Sequence, residues 1–196
     1  MSLLVSLVGA VPQVNVDRLN DHLSTISRSG SPMAVHECVF DRMGSAGVAS
    51  RKSSEARARR DLHGGDSWVL RILGHVIEPG KRRAVIRSAT DVAVSDNFES
   101  LLAALDYTRA YQVVLRGMQY DIRPSISVRV FQLLKVVGPD GGTDQLEPVG
   151  DGTRWIVELA ALTTALDGDL SAVEATLVQI SVSLNQIACV QFPSTS

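Results

Sequence analysis

The stretch 110–137 reads AYQVVLRGMQYDIRPSISVRVFQLLKVV, two apolar runs on either side of a short turn that contains Pro124. This pattern predicts a long β-hairpin over 111–137. In the first run, one face carries Tyr111, Val113 and Leu115, and the other carries Val114, Met118 and Tyr120. A strand with one face in water would alternate apolar with polar residues. Both faces are therefore expected to be covered, one by the interior of a barrel and the other by helices outside it.

The composition is that of an ordinary globular protein. The 196 residues favour a single domain over 1–196, with 45% hydrophobic and 20% charged side chains. The net charge of -2 gives no argument for binding to nucleic acid or to a membrane surface. Two cysteines are too few for a secreted disulfide framework, and no apolar run reaches the ~20 residues of a transmembrane helix. We therefore expect a soluble intracellular protein with reduced thiols.

Periodicity predicts further elements on both sides of the hairpin. Strands are expected at 3–8, 34–41, 68–76, 84–94 and 153–164. Helices are expected after three capping signals, which are Asn15, the pair Asp96 and Glu99, and the pair Ser171 and Glu174. The predicted fold is α+β, a curled antiparallel sheet with three helices.

The segment 43–66 departs from this periodicity. It has few apolar residues and contains Arg51, Lys52, Arg57, Arg59 and Arg60. Its length exceeds that of an ordinary loop, which indicates a flexible Arg-rich insertion exposed to solvent. A partner-binding or phosphate-contacting patch, and a short helical turn, remain alternatives.

No motif for catalysis, cofactor binding or metal binding is found. A metal-dependent phosphatase barrel would need two inward carboxylates on one strand, as in E-x-E, and the chain has no such pair. Glu37, Glu78 and Glu158 stand alone on or beside strands, where each is expected to face solvent or to form an ion pair. Phosphate-binding loops and nucleophile elbows are also missing from the sequence. An interaction protein is therefore the default hypothesis.

The last helix carries a candidate partner-binding surface. Its wide apolar stripe contains Val173, Leu177, Ile180, Leu184 and Ile187 and is expected to pack on the sheet. The opposite face carries Ala175, Val178, Val182 and Cys189, and no residue from 175 to 190 is charged. Because a solvated face is usually charged, this side is expected to contact a partner. Coverage by a loop of the same chain is the alternative.

The order of several short motifs resembles the family of subunit 18 of the Mediator complex of RNA polymerase II transcription. The matching segments are an L-x-L-x-G-like strand at 4–9, an H-E-x-V-F-like strand at 36–40, a leucine-aromatic helix end at 105–107, V-L-x-G at 114–117, a strand at 128–136 and a W-x-V-E-like strand at 155–158. The resemblance implies an antiparallel barrel of about eight strands with three flanking helices, related to the tunnel fold of RNA triphosphatases.

The same resemblance implies a function in the nucleus. It describes a non-catalytic subunit of the Mediator head that pairs with subunit 20 and receives a helix from subunit 8, without sequence-specific contacts to nucleic acid. The tunnel fold supplies one alternative, a metal-dependent triphosphatase, against which the missing E-x-E pair argues. A barrel that carries a small ligand is a second alternative.

Overall fold

The computed structural model describes residues 2–42, 55–65, 67–77, 82–137, 143, 145–164 and 170–193. The strands in this part are β1 (Ser2–Pro12), β2 (Ser29–Arg42), β3 (Glu55–Asp61), β4 (Trp68–Val76), β5 (Val85–Val94), β6 (Tyr107–Arg123), β7 (Ile126–Val136), β8 (Leu146–Pro148) and β9 (Arg154–Thr164). The helices are α1 (Val16–Ile26), α2 (Phe98–Ala104) and α3 (Leu170–Ala188), and a single 3-10 turn (Gln13–Asn15) precedes α1.

The long strands close into a barrel. Their order is β6-β2-β3-β4-β5-β1-β9-β7, and β7 pairs with β6 to complete the ring. Every pairing is antiparallel, and the short β8 adds to the end of β7. A closed ring leaves no long unpaired sheet edge. The predicted α+β fold, an antiparallel barrel of about eight strands with three helices, is confirmed.

The hairpin predicted at 111–137 is formed by β6 and β7, and it extends to Tyr107 at its first end. Its register places Val113 opposite Lys135 and Tyr120 opposite Val128. At Gly117 the two strands approach so closely that a Cβ atom there would lie 2.0 Å from the carbonyl oxygen of Val130. This glycine is therefore required by the spacing of the hairpin.

Two apolar layers cover the outside of the barrel, as predicted. Helices α1 and α3 pack over β1, β7 and β9, and Leu19, Leu23, Leu177 and Leu184 are completely buried there. Helix α2 covers the other side. There the ring of Phe98 packs against that of Trp68 on β4, with 4.8 Å between the ring centroids. The helices thus bury the outward-facing side chains of the sheet.

The prediction of an apolar barrel interior is only partly correct. An apolar cluster of Met33, Val113, Leu115 and Phe131 lies at one end of the barrel. Further along, the inward positions of the strands carry arginines and carboxylates, among them Arg57 and Arg59, which the sequence analysis placed in a loop exposed to solvent. Charged groups are stable there because each strand supplies counter-charges to its neighbours.

The flexible insertion predicted at 43–66 is wrong from Glu55 to Asp61, which form β3. In this strand Ala56 and Ala58 are completely buried under α2, whereas Arg57 and Arg59 point to the barrel interior. The alternation of alanine and arginine is thus a strand with a buried outer face. Residues 43–54 lie outside the described part of the chain.

The capping predictions are corrected at all three helices: at α2 the N-cap residue is Asn97 rather than Asp96, and its side chain forms no cap hydrogen bond. Asn15 lies at the start of α1, but its side chain does not cap the helix and donates a hydrogen bond to the carbonyl oxygen of Ala188 at 3.1 Å. The Glu174 carboxylate accepts hydrogen bonds from the backbone N–H groups of Arg83 at 2.7 Å and Ala84 at 3.1 Å. Both side chains therefore connect helices to other elements.

Candidate functional site

The barrel encloses an open cavity of about 510 Å³, which we call the lumen. Its arginines come from five different strands and are Arg57, Arg59, Arg71, Arg87, Arg123 and Arg129. They meet in one space because residues that alternate along a strand point to the same side, and in a closed barrel that side is the interior. Six guanidinium groups thus share the lumen with apolar and small polar side chains.

Most of these arginines form ion pairs across neighbouring strands. Arg71 on β4 binds the Asp91 carboxylate on β5 through two hydrogen bonds. Arg59 on β3 binds the nearly buried Glu37 on β2, and Arg57 lies 3.7 Å from the same carboxylate. The pairs Arg71–Asp91 and Arg59–Glu37 join registered positions of the sheet, whereas Arg57 reaches Glu37 diagonally from its position opposite Val39. The charged interior therefore also links the strands.

A second set of pairs lies closer to β5 and β7. Arg87 lies 3.1 Å from the Glu55 carboxylate, and Arg57 binds the same group. Arg129 lies 3.4 Å from Glu158 and also donates to the side-chain oxygen of Gln119 at 3.1 Å. The two glutamates named alone on strands in the sequence, Glu37 and Glu158, are thus ion-paired, while Glu78 lies outside the described residues.

Positive charge nevertheless remains in excess at the lumen surface. Burial lowers the pKa of Arg129; Glu158 opposes this shift, but Arg59 and Arg71 add repulsion from like charges. The buried Nε of Arg87 has no hydrogen-bond acceptor among the described residues. Of the carboxylates in the described ranges, only Asp121 and Glu158 belong to the cavity wall. The lumen therefore presents donors with unused capacity.

The arrangement does not supply a metal site in the described part of the chain. The carboxylates Glu37, Glu55, Asp91 and Glu158 come from four different strands, and each one contacts an arginine. Among described residues, no group of three or more His, Cys, Asp and Glu side chains is placed to hold a metal ion. The lumen is suited to electrostatic binding of an anion.

The outer face of α3 forms a second candidate site. Val182 is 48% exposed, Ala175 is also exposed, and Val178 is half-buried against the core. Val178 and Val182 line a shallow groove of about 360 Å³ together with Phe192 and Pro193. None of the described helices combines the length and hydrophobicity needed to cross a membrane.

Cys189 ends α3 in a conformation that differs from the helical one assumed for it. Its φ of 55° lies in the left-handed region, and the residue is exposed. Its N–H donates to the carbonyl oxygen of Asn185 at 2.9 Å. The chain then turns back to β1, where Ala10 and Gln191 exchange two backbone hydrogen bonds of 2.9 and 2.8 Å. Cys189 thus lies beyond the helix, beside the groove rather than in its wall.

Comparisons with known proteins agree with this architecture. A family model described as Med18 protein matches residues 42–169. The chain belongs to the Med18 family. A relative from Danio rerio, Mediator of RNA polymerase II transcription subunit 18, is 29% identical over 163 residues, which cover 81% of this chain and 74% of the relative. The family resemblance found in the sequence motifs is confirmed.

Solved structures support the Med18 assignment at the level of the fold. A chain of the Schizosaccharomyces pombe Mediator head module superposes with a TM-score of 0.77 at 14% identity, covering 96% of this chain and 97% of that one. The Mimivirus capping enzyme triphosphatase superposes with a TM-score of 0.53 at 8% identity, covering 93% and 89% of the two chains. The predicted relation to the triphosphatase tunnel fold is confirmed as a likeness of fold.

The Med18-family structure brings only part of the predicted site together. Val178 and Val182 share one groove, Ala175 lies on the exposed side of the same helix, and Cys189 follows the helix end. The predicted buried stripe is rotated, because Ser181 and Ala188 are buried with Leu177 and Leu184. Partner binding by these residues stays a prediction.

The lumen arginines of this Med18-family chain were missed in the sequence. Arg57 and Arg59 were assigned to a flexible loop because charged residues usually indicate solvent. The available signal was the strict alternation of 55–59, glutamate, alanine, arginine, alanine and arginine, which has the period of a β-strand.

Proposed function

We propose that this chain is a non-catalytic subunit of the Mediator head that acts in transcription through contacts with other proteins. The observation that carries the proposal is the Med18 family match over 42–169 on a barrel that superposes with a chain of a Mediator head module. The named function of the Danio rerio relative is consistent with it. A nuclear location follows from this role.

The absence of catalysis is argued from the lumen chemistry. A divalent cation that activates a phosphate needs carboxylates free to coordinate it. Glu37 already contacts Arg57 and Arg59, and Glu158 contacts Arg129. No strand in the described ranges places two carboxylates two residues apart on the lumen side. A metal would have to displace guanidinium groups, so triphosphatase activity is not expected.

The proposed partners are Mediator subunit 20, in a heterodimer, and a helix of Mediator subunit 8. The proposed surface is the outer face of α3 with its end, comprising Ala175, Val178, Val182 and Cys189. The groove combines Val178, Val182 and Phe192 with uncharged polar residues of α3 and with Arg83 at its edge, and the helix has no charged side chain from 175 to 190, which favours close packing of a helix or a sheet. Exposed valine in such a position gains free energy when a partner removes it from water.

The test is co-expression with subunit 20, or with the subunit 8 helix, followed by affinity purification. Val182→Asp should abolish co-purification of a partner that binds this face, because it buries a charge in an apolar contact. Its melting temperature alone should change little, since Val182 is 48% exposed. Leu101→Asp on α2 is the matched control, because Leu101 is 51% exposed and also lies on a helix.

Two results would contradict the proposed surface. One is full recovery of both partners with Val182→Asp, and the other is loss of binding in Leu101→Asp alone, which would place the interface at α2. Leu177→Asp shows what a folding defect looks like, because Leu177 is completely buried. Phosphate release from a triphosphate with magnesium or manganese, abolished by Glu158→Gln, would overturn the non-catalytic role.

A further inference from the structure

The lumen has two chemically different walls. The arginines Arg57, Arg59 and Arg71 lie on β3 and β4, and Arg129 lies on β7. Leu4 and Val8 on β1 and Leu162 on β9 also line the lumen. In the closed strand order, β3 lies four strands from β9 and β4 lies four strands from β7. Arginines from β3 and β4 therefore face the apolar side chains on β1 and β9, which we call the apolar wall, although Glu158 on β9 and Arg87, the registered partner of Leu4 on β5, lie beside them.

The apolar wall is open to water, which is unusual for a barrel interior. Val8 is 48% exposed, and Val85 and Leu162 are each 44% exposed. Leu4 and Leu162 are registered partners on β1 and β9, so their side chains form one continuous patch. Exposed apolar side chains within a concave cavity are a typical feature of a ligand site. Removing this patch from water would favour binding of an apolar group.

The arginine wall retains capacity for an oxyanion. Six arginines line the lumen, which are Arg57, Arg59, Arg71, Arg87, Arg123 and Arg129, and three further carboxylates pair with them from outside its surface, which are Glu37, Glu55 and Asp91. Among the described residues, the carboxylates at the cavity surface itself are Asp121 and Glu158, beside all six arginines. Glu37 is 4% exposed and lies behind its arginines.

The excess of positive charge at the lumen surface is clearest at Arg87 and Arg129. The Arg87 Nε is buried without an acceptor among the described residues, although another nitrogen of the same group lies 3.1 Å from Glu55. Arg129 is held near Arg59 and Arg71, and its contact with Glu158 is a long one of 3.4 Å. Guanidinium donors bind carboxylate and phosphate oxygens strongly because their geometry permits paired hydrogen bonds.

We propose that the lumen binds an amphiphilic organic anion, with a carboxylate or phosphate head on the arginines and an apolar body on the patch of Leu4 and Leu162. The volume of about 510 Å³ accommodates a small organic molecule of this kind. The site lies inside the barrel, whereas the proposed subunit contacts lie on α3. Binding of the anion is thus independent of which subunits the chain contacts.

Titration calorimetry of the full chain with octyl phosphate, octanoate and inorganic phosphate tests the proposal, with the octyl compounds kept below their micelle concentrations. Octyl phosphate or octanoate should bind, and the tighter of the two identifies the head group. Inorganic phosphate should bind at least about tenfold more weakly, because it gains nothing from the apolar wall. Higher salt should weaken all binding, since the head is held by charge.

Two variants separate the walls. Arg129→Gln should weaken the octyl ligand by about tenfold or more, whereas the matched control Arg109→Gln, an exposed arginine paired with Glu99 outside the lumen, should leave its affinity unchanged. Leu162→Ser should weaken the octyl ligand and leave inorganic phosphate unaffected. Leu162 is substantially exposed, so this second variant remains informative even when Arg129→Gln fails to fold.

Several outcomes would overturn the proposal. Wild-type protein that binds neither octyl compound has no such site. An affinity for octyl phosphate that is the same in wild type, Arg129→Gln and Leu162→Ser would place binding elsewhere on the molecule. Inorganic phosphate that binds as tightly as octyl phosphate would show a simple anion site without an apolar component.

Discussion

Arg71 and Asp91 face each other on β4 and β5 and form a two-point ion pair inside the barrel. The Arg71 Nε lies 2.7 Å from one carboxylate oxygen of Asp91, and a second guanidinium nitrogen lies 2.6 Å from the other. The two residues are registered partners in the sheet, so the backbone already holds them opposite each other. Less side-chain entropy is therefore lost than in a surface ion pair.

This pair predicts a pH-dependent contribution to stability. The hydrogen bond from Arg71 lowers the pKa of Asp91 below its ordinary value of 3.8, burial opposes the shift, and the charge of Arg71 reinforces it. The contribution is present above 3.8 and is lost as the pH falls through the lowered pKa. Asp91→Asn should reduce the free energy of unfolding at pH 7 by about 1 kcal/mol, since Asp91 is partly exposed.

Urea unfolding at several pH values measures this effect. The difference between wild type and Asp91→Asn should shrink below about pH 4, where the carboxylate becomes protonated in the unfolded chain. A difference that stays constant down to pH 2 would show that Asp91 contributes by packing rather than by charge.

His36 predicts a second pH dependence, of the same sign and at higher pH. It is buried beside Trp68, with ring centroids 5.2 Å apart, under α2. Burial lowers the pKa of His36 from 6.5, and the charge of Arg60 lowers it further, although a hydrogen bond with Gln112 opposes both. Folding thus favours the neutral ring. Stability is complete above pH 6.5 and should decline as the pH falls below it.

His36→Gln should flatten the stability profile between pH 7 and pH 5, as measured by thermal or urea unfolding. The matched control is His63→Gln, which changes an exposed histidine in the turn after β3 and should keep the wild-type slope. An unchanged slope in His36→Gln would assign the pH dependence to other groups.

The Glu174 carboxylate anchors α3 to the segment that leads into β5. Its oxygens accept hydrogen bonds from two backbone N–H groups and from the Arg82 guanidinium at 3.1 Å. Glu174→Ala should lower the free energy of unfolding by about 2 kcal/mol, because the charged acceptor is lost. Glu147→Ala, which removes an exposed pair with Lys135, should cost less than about 1 kcal/mol. Equal effects of the two variants on the denaturation midpoint would contradict this anchoring role.

The central hairpin has no room for a side chain at position 117, which is occupied by Gly117. A Cβ atom at this position would meet backbone atoms of Val130 and Phe131, which cannot move without disturbing the register. Gly117→Ala should destabilise the barrel by about 3 kcal/mol. Gly64→Ala is the control, since its Cβ would meet the end of the Asp61 side chain at 2.8 Å, which can rotate away. A melting temperature for Gly117→Ala near that of wild type would mean that β6 and β7 can separate locally.

The sequence predicted the hairpin and the outer helices because both depend on apolar periodicity. The two runs in 111–137 carry apolar residues on both faces, and Leu177 and Leu184 recur at helical spacing. Such patterns can be recognised in a sequence because burial of an element requires apolar residues at the regular spacing of that element. The observed strands extend beyond their predicted bounds, as in β1, which continues to Pro12.

The charged lumen could not be predicted with the same rule. Arg57 and Arg59 form ion pairs with Glu37, which lies on a neighbouring strand and 20 or so residues away in the sequence. These pairs depend on the register of the two strands. A rule that assigns charge to solvent fails where a closed barrel makes an interior wide enough for ion pairs. For the same reason, the rotation of α3 toward Ser181 became visible only with its packing partners in place.

The short return of the chain from Cys189 to Gln191 has a practical consequence. Pairing of β1 with β5 ends at Ser6, so the backbone of β1 beyond that point has this segment as its only described neighbour on one side. Shortening the chain before residue 189 would remove the partners of the Ala10 N–H and C=O groups and expose this part of β1 as a sheet edge. Such an edge recruits strands from other molecules. Truncated versions are therefore expected to form insoluble aggregates even with all eight barrel strands retained.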